Sequence, residues 1–141
     1  MDFIDTDIVI QQREGRSLQE LLDKDGIEKF MEVEEIIVSQ LQLKQCIIST
    51  GGSVVYSEKA MNMLKQDGLV IYLHVAFDEI QRRLTNITTR GIVIKNGHSL
   101  RDVYEERVPL YMRHSDITLD CTRKDIEHCV SELIARIQED Q

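Results

Sequence analysis

Two carboxylates one residue apart, Asp5 and Asp7, directly follow the apolar pair Phe3-Ile4. At the end of a strand, one such carboxylate can hold magnesium, directly or through water, while the other orients or deprotonates a substrate hydroxyl. Asp is also a favoured helix N-cap, and for an isolated Asp-x-Asp that plainer role comes first. Gly51-Gly52 follows a second apolar run, Cys46-Ile47-Ile48-Ser49. Glycines there let a ligand approach the backbone and expose N–H groups, although a tight turn asks for the same residue. Arg90 lies in a polar stretch from Thr85 to His98, the kind of segment that closes over a phosphate; a lone loop arginine is more often simply solvated. Arg107 stands two residues before Pro109. Its fork suits a carboxylate, while a surface pair with a glutamate is the commoner fate of a helical arginine. His74 reads first as a satisfied structural histidine, and His98, His114 and His128 have no metal-ligand spacing.

A phosphate-cradling loop needs glycines followed by Lys and Ser/Thr. None of the seven glycines, Gly15, Gly26, Gly51, Gly52, Gly68, Gly91 and Gly97, precedes a lysine, so the 141 residues contain no Walker A motif. Cys46, Cys121 and Cys129 are odd in number and lack CxxC spacing, which points to structural thiols rather than zinc or disulfides. A formal net charge of −8 argues against a nucleic-acid partner. The acidic N-terminus does not resemble a signal peptide, and no apolar run is long enough to span a bilayer, so a cytoplasmic location is expected.

These residues need elements to hold them. Phe3-Ile4 ends a strand, and Ile8-Val9-Ile10 opens a short helix that stops near Gly15. Ser17 with Glu20 forms a capping box for a helix carrying Leu18, Leu21 and Leu22 on one face. Gly26 ends it in a left-handed conformation. A longer helix follows, with Ile27, Phe30, Met31, Val33, Ile37 and Leu41 on its apolar face. Cys46–Ser49 is a strand, and a helix runs from Ser57 to just before Gly68. Residues 69–75 form a strand apolar enough to be covered on both faces. A helix over 77–84 precedes the polar loop. Ser99 and Asp102 cap a further helix that bends at Pro109. Ile117-Thr118-Leu119 is a last strand, and Asp125 caps a terminal helix with Ile126, Cys129, Val130, Leu133 and Ile137 facing the core. This alternation predicts βαβ units in a parallel sheet, with ligands beyond the strand C-termini.

The order and spacing of Phe3-Ile4-Asp5-Thr6-Asp7, Gly15-Arg16-Ser17, Gly26 to Phe30 with Glu34-Glu35, Thr50-Gly51-Gly52, Val70-Ile71-Tyr72-Leu73, Arg83-Leu84, Thr89-Arg90 and Glu106-Arg107-Val108-Pro109-Leu110-Tyr111 resemble shikimate kinase over essentially the whole chain. The resemblance implies a three-layer α/β/α P-loop kinase fold, occupied by one domain over residues 1–141 with a lid near 85–98. It implies transfer of the ATP γ-phosphate, with Mg2+, to the 3-hydroxyl of shikimate, a small hydroxy acid of aromatic amino-acid synthesis. Asp7 would then bind substrate hydroxyls and serve as, or assist, the base, and Asp5 would support the magnesium shell. Gly51 and Gly52 would present backbone to the substrate, Arg107 would hold its carboxylate, and Arg90 would reach the phosphate. Arg123, or its neighbour Lys124, falls where the adenine-stacking loop lies.

The chain departs from that pattern at several points. Met31 stands where the family usually has a second carboxylate-binding arginine, Ser53 replaces a third glycine, and Arg90-Gly91-Ile92-Val93 replaces Arg-Pro-Leu-Leu. The family's first strand, P-loop and first helix have no counterpart among the 141 residues. In the family that strand lies between those ending at Gly51 and Val75, so its loss predicts two unsupported strand edges, low stability as a monomer and little kinase activity. The leading expectation is that Met1 is an internal methionine of a longer kinase. The alternatives are a non-catalytic binding remnant and a related kinase with a less anionic acceptor.

Overall fold

The computed structural model describes residues 1–84 and 94–141. Its contacts divide into two compact units, one holding Met1–Gly68 with residues 94–99, the other residues 69–84 and 100–141.

In the first unit, β1 (Asp2–Asp5) pairs in parallel with β2 (Cys46–Ser49), aligning Phe3 with Ile47 and Asp5 with Ser49. The parallel direction requires a long connection, supplied by α1 (Thr6–Glu14) and α2 (Leu18–Ser39). Gly15 closes α1 in the left-handed region, its N–H reaching the Gln11 carbonyl. The Ser17 hydroxyl accepts from the Glu20 amide, and the Glu20 carboxylate accepts from the Ser17 amide, a complete capping box. Gly26 interrupts α2 as expected, but not in the left-handed helical region: φ 85° with ψ 171° is an extended conformation open essentially to glycine alone. The kink turns both halves of α2 onto one core of Ile10, Leu21, Phe30, Val33 and Ile37. Met31 packs against that core as an apolar side chain.

After β2 a 3-10 turn, Gly52–Tyr56, intervenes before α3 (Glu58–Gln66), a feature not anticipated from the sequence. Ser57 caps α3 by accepting from the Ala60 amide and donates to Glu35 of α2, fastening the two helices. Lys95 and His98 close a turn containing Gly97.

In the second unit, β3 (Ile71–His74) pairs in parallel with β4 (Ile117–Asp120), followed respectively by α4 (Phe77–Leu84) and α6 (Ile126–Glu139); α5 (Leu100–His114) precedes β4 and continues through Pro109. β3 is shorter than the expected 69–75, because beyond Ile71 the Val70 amide turns to the Asp116 carboxylate. Nor is it covered on both faces: Leu73 is 55% exposed. Tyr72 meets Tyr111 at 5.0 Å and bonds His74 Nδ1 at 2.9 Å, giving His74 the structural partner expected of it. Asp125 caps α6 through the His128 amide, as expected. The expected core face of α6 is corrected, because Ile126 and Val130 are exposed while Cys129, Leu133 and Ile137 are half-buried. The helical period located an apolar side that is wider than the contact β4 provides.

Each of the four strands thus has one partner among the described residues. Phe3 and Ile47, aligned across β1 and β2, are both more than half exposed.

Candidate functional site

Asp5 has extended backbone angles, which lets its carboxylate fold over the start of α1 and accept from the amides of Asp7 and Ile8 at 2.9 and 3.4 Å. The plainer of its two readings, a helix N-cap, is therefore realised. Both bonds use Oδ1. A magnesium ion, which keeps several waters and takes only one or two carboxylates, could be supported through Oδ2. Among the described residues no group of three or more His, Cys, Asp or Glu could hold a metal by itself.

Asp7 sits in the first turn of α1, and burial, followed by the charge of Asp5, raises its carboxyl above the ordinary range. Gly51 lies against it. A Cβ built on Gly51 would stand 2.9 Å from Asp7 Oδ1, 3.5 Å from Asp7 Oδ2 and 3.4 Å from Glu34 Oε2. With φ −66° and ψ 158° the Gly51 backbone suits any residue, so space rather than turn geometry demands glycine. Gly52 opens the 3-10 turn.

Glu34 is 2% exposed, and Ser53, also buried, donates to its Oε1 at 2.7 Å. A charge-assisted bond of this kind offsets part of the cost of burying a carboxylate. Sequence reasoning gave Glu34 no role, yet a signal existed. It occupies the buried register of Phe30, Ile37 and Val38 on α2, where an acid has no packing reason to be. The first unit therefore brings together Asp7, Gly51, Glu34 and Ser53. Its arginines Arg13 and Arg16 are engaged elsewhere, with Gln40 and with Asp25 respectively.

In the second unit Arg107 lies on α5 and is buried rather than at the surface. Arg123 is exposed on the loop joining β4 to α6, with a left-handed φ of 57°. Its amide donates to Glu79 Oε2 at 2.7 Å. Glu79, 7% exposed on α4, also receives Arg83 at 2.5 Å. The Arg123 amide first, and Arg83 after it, hold the Glu79 carboxyl below its usual range. Lys124, the other basic residue of the loop, is committed to Glu132 at 2.6 Å. Arg90 lies outside the described residues, as does most of the expected lid.

Parallel strand pairs joined by helices, with Asp5 at the end of β1, Asp7 just beyond it, and Gly51 and Gly52 just beyond β2, define an α/β fold with its candidate residues at the strand C-termini. Solved structures sharpen this to the P-loop kinase type. The shikimate kinase of Acinetobacter baumannii, in complex with shikimate, superimposes with a TM-score of 0.89 at 22% identity, covering 99% of this chain and 80% of that one. The shikimate kinase of Aquifex aeolicus gives 0.78 at 25% identity, covering 99% and 82%. The chain belongs to the shikimate kinase family, whose sequence model matches residues 1–138. It is 32% identical over 139 residues to the shikimate kinase of Haemophilus influenzae strain PittEE, covering 95% of this chain and 77% of that protein. It is also 32% identical over 136 residues to that of Caldanaerobacter subterraneus, covering 94% and 79%. No described helix is long and apolar enough to cross a membrane.

Proposed function

We propose that this chain carries the acceptor-binding part of an ATP-dependent phosphotransferase that phosphorylates a hydroxyl of shikimate or a close hydroxy acid. The observation that carries the reading is the convergence of Asp7 and Glu34 on Gly51, with Ser53 donating to Glu34. An acceptor hydroxyl brought up beside Gly51 would donate to the Asp7 carboxylate. A carboxyl raised by burial is a better proton acceptor than an ordinary aspartate, which suits a group that orients and then deprotonates the attacking hydroxyl.

Arg107, buried on α5, is the group assigned to the acceptor's carboxylate, which its planar fork suits. Gly51 and Gly52 would offer backbone, Arg90 would reach the transferred phosphate, and Arg123 would lie on the nucleotide's base. Magnesium, supported through water by Asp5, would neutralise developing phosphate charge. Phosphoryl transfer asks mainly for positioning and charge, and Asp7 beside Gly51 would supply the positioning of the acceptor hydroxyl.

The phosphate-cradling strand and loop would come from outside these 141 residues. Two facts support this: no glycine precedes a lysine, and each strand has a single partner among the described residues. The genomic reading frame upstream tests it, with an in-frame GxxxxGK[ST] expected and a stop codon immediately before Met1 refuting it. The functional reading is tested by calorimetry with shikimate, and by a coupled ADP-release assay on the chain alone and on the upstream-extended form. Shikimate binding by both forms, with turnover only in the extended form, is the expected result. A folded chain that does not bind shikimate would refute the acceptor assignment.

Met31 favours one variation. Because it is packed into the core, it leaves the usual second arginine position apolar. The acceptor would then be held with fewer ionic contacts, and a screen of hydroxy acids against uncharged alcohols decides between the two acceptor classes.

A further inference from the structure

The loop between β4 and α6 is held by more bonds than its length requires. Cys121 continues the strand ladder by donating its amide to the His74 carbonyl at 2.7 Å. The Thr122 amide donates to Asp120 at 2.9 Å, and the Thr122 hydroxyl accepts from the Ala76 amide at 2.9 Å. Arg123 then enters the left-handed region at φ 57°, where a non-glycine residue has to be held by its surroundings. The holding group is Glu79, one of few buried acids among the described residues. Its Oε2 takes the Arg123 amide at 2.7 Å, while its Oε1 faces Arg83 at 2.5 Å and Arg82 at 3.8 Å. The carboxylate thus spans from α4 to the backbone of the exposed basic residue of the loop.

We propose that Glu79 is a positioning residue for nucleotide recognition: by capturing the Arg123 amide it fixes the left-handed turn and so aims the Arg123 guanidinium at the face of a purine base. The proposal rests on the reading of Arg123 as a nucleotide contact given above. A guanidinium stacks on an aromatic plane only when its stem is oriented in advance. An exposed arginine on a free loop would dissipate that orientation among rotamers. Glu79 itself touches neither base nor phosphate in this scheme. Arg82 and Arg83 keep it ionised, and the ionised form is the one that holds an amide most firmly.

The test uses the chain as it stands, isotope-labelled, titrated with ADP and magnesium to millimolar concentration and followed by amide chemical shifts and amide exchange. In Glu79→Ala, exchange at the Arg123 amide should accelerate by about tenfold and ADP affinity should fall by about tenfold, with shikimate affinity unchanged. Glu79→Gln retains an oxygen for the amide and should recover most of both losses. It also serves as the test should Glu79→Ala fail to fold, since wild-type exchange with tenfold weaker ADP binding in Glu79→Gln would contradict the proposal. Arg123→Gly keeps the turn without the guanidinium and should weaken ADP as much as Glu79→Ala does. Unchanged exchange or unchanged ADP affinity in Glu79→Ala overturns the proposal alone. Wild-type ADP affinity in Arg123→Gly, or no ADP binding by the wild-type chain, overturns the nucleotide reading of Arg123 and the proposal with it.

Discussion

Asp7 Oδ1 lies 2.9 Å from the point that a Cβ on Gly51 would occupy, closer than real Cβ contacts come. The turn after β2 and the first turn of α1 are therefore packed closely against each other at Gly51. Gly51→Ala should push the Asp7 carboxylate aside, at a small cost in stability because the tip of a flexible side chain can move. Shikimate binding should be lost together with that stability. Urea unfolding and calorimetry on the same preparation check both.

Gly26 presents the opposite case. A Cβ there would meet no atom within 4 Å, but φ 85° with ψ 171° is barred to other residues by their own backbone sterics. Gly26→Ala should therefore destabilise by about 1–3 kcal/mol without any clash, and should leave shikimate affinity per folded molecule unchanged.

Ser53 and Glu34 form a buried pair at 2.7 Å. Ser53→Ala removes the donor and leaves the carboxylate less well compensated, with an expected loss of about 1–3 kcal/mol. Combining it with Glu34→Leu should cost less than the two single losses together, because the carboxyl group that lost its Ser53 donor goes as well. A double-mutant cycle by urea unfolding measures the difference.

Asp7 and Glu79 should respond to pH with opposite sign. Burial and Asp5 raise the Asp7 carboxyl above 3.8, so the stability it contributes is fully present below pH 3.8 and is lost as pH rises through the raised value. Asp7→Asn should accordingly be the more stable form at pH 7, with the gap closing on acidification. The Glu79 carboxyl is lowered from 4.5, chiefly by the Arg123 amide, so its contribution is present above pH 4.5 and is lost as pH falls through the lowered value. Glu79→Gln should be the less stable form at pH 7 and match the wild type in acid. Thermal melts at pH 7 and near pH 3 test both signs.

Local chemistry made much of this molecule legible. The Ser17/Glu20 capping box, the Asp125 cap and the break at Gly26 all follow from residues within a few positions of where they act, and the alternation of strands with helices implied the parallel pairing. Asp5 shows the limit of that legibility. Its type and position suited both a cap and a magnesium support, the cap first, and the cap is the role its bonds display. The apolar stripe of α6 and the apolar run at 69–75 identified a helix and a strand. Periodicity cannot report how much neighbouring surface is present to cover them, and Ile126 and Leu73 are left exposed.

By itself, then, the sequence determined the order of elements, the family, and the presence of Asp7 and Gly51 just beyond two strands. Short-range hydrogen bonding and hydrophobic period are written residue by residue, so these features can be read in one dimension. Only the tertiary structure decided that Gly51 is required for space rather than for its backbone angles. It also decided that Glu34 takes its donor from Ser53, 19 residues away, and that Glu79 holds the amide of Arg123, 44 residues away. Buried acids are placed by partners distant in the chain, because the cost of desolvating them is met by whatever donor the fold brings within about 3 Å, and no local pattern names that donor.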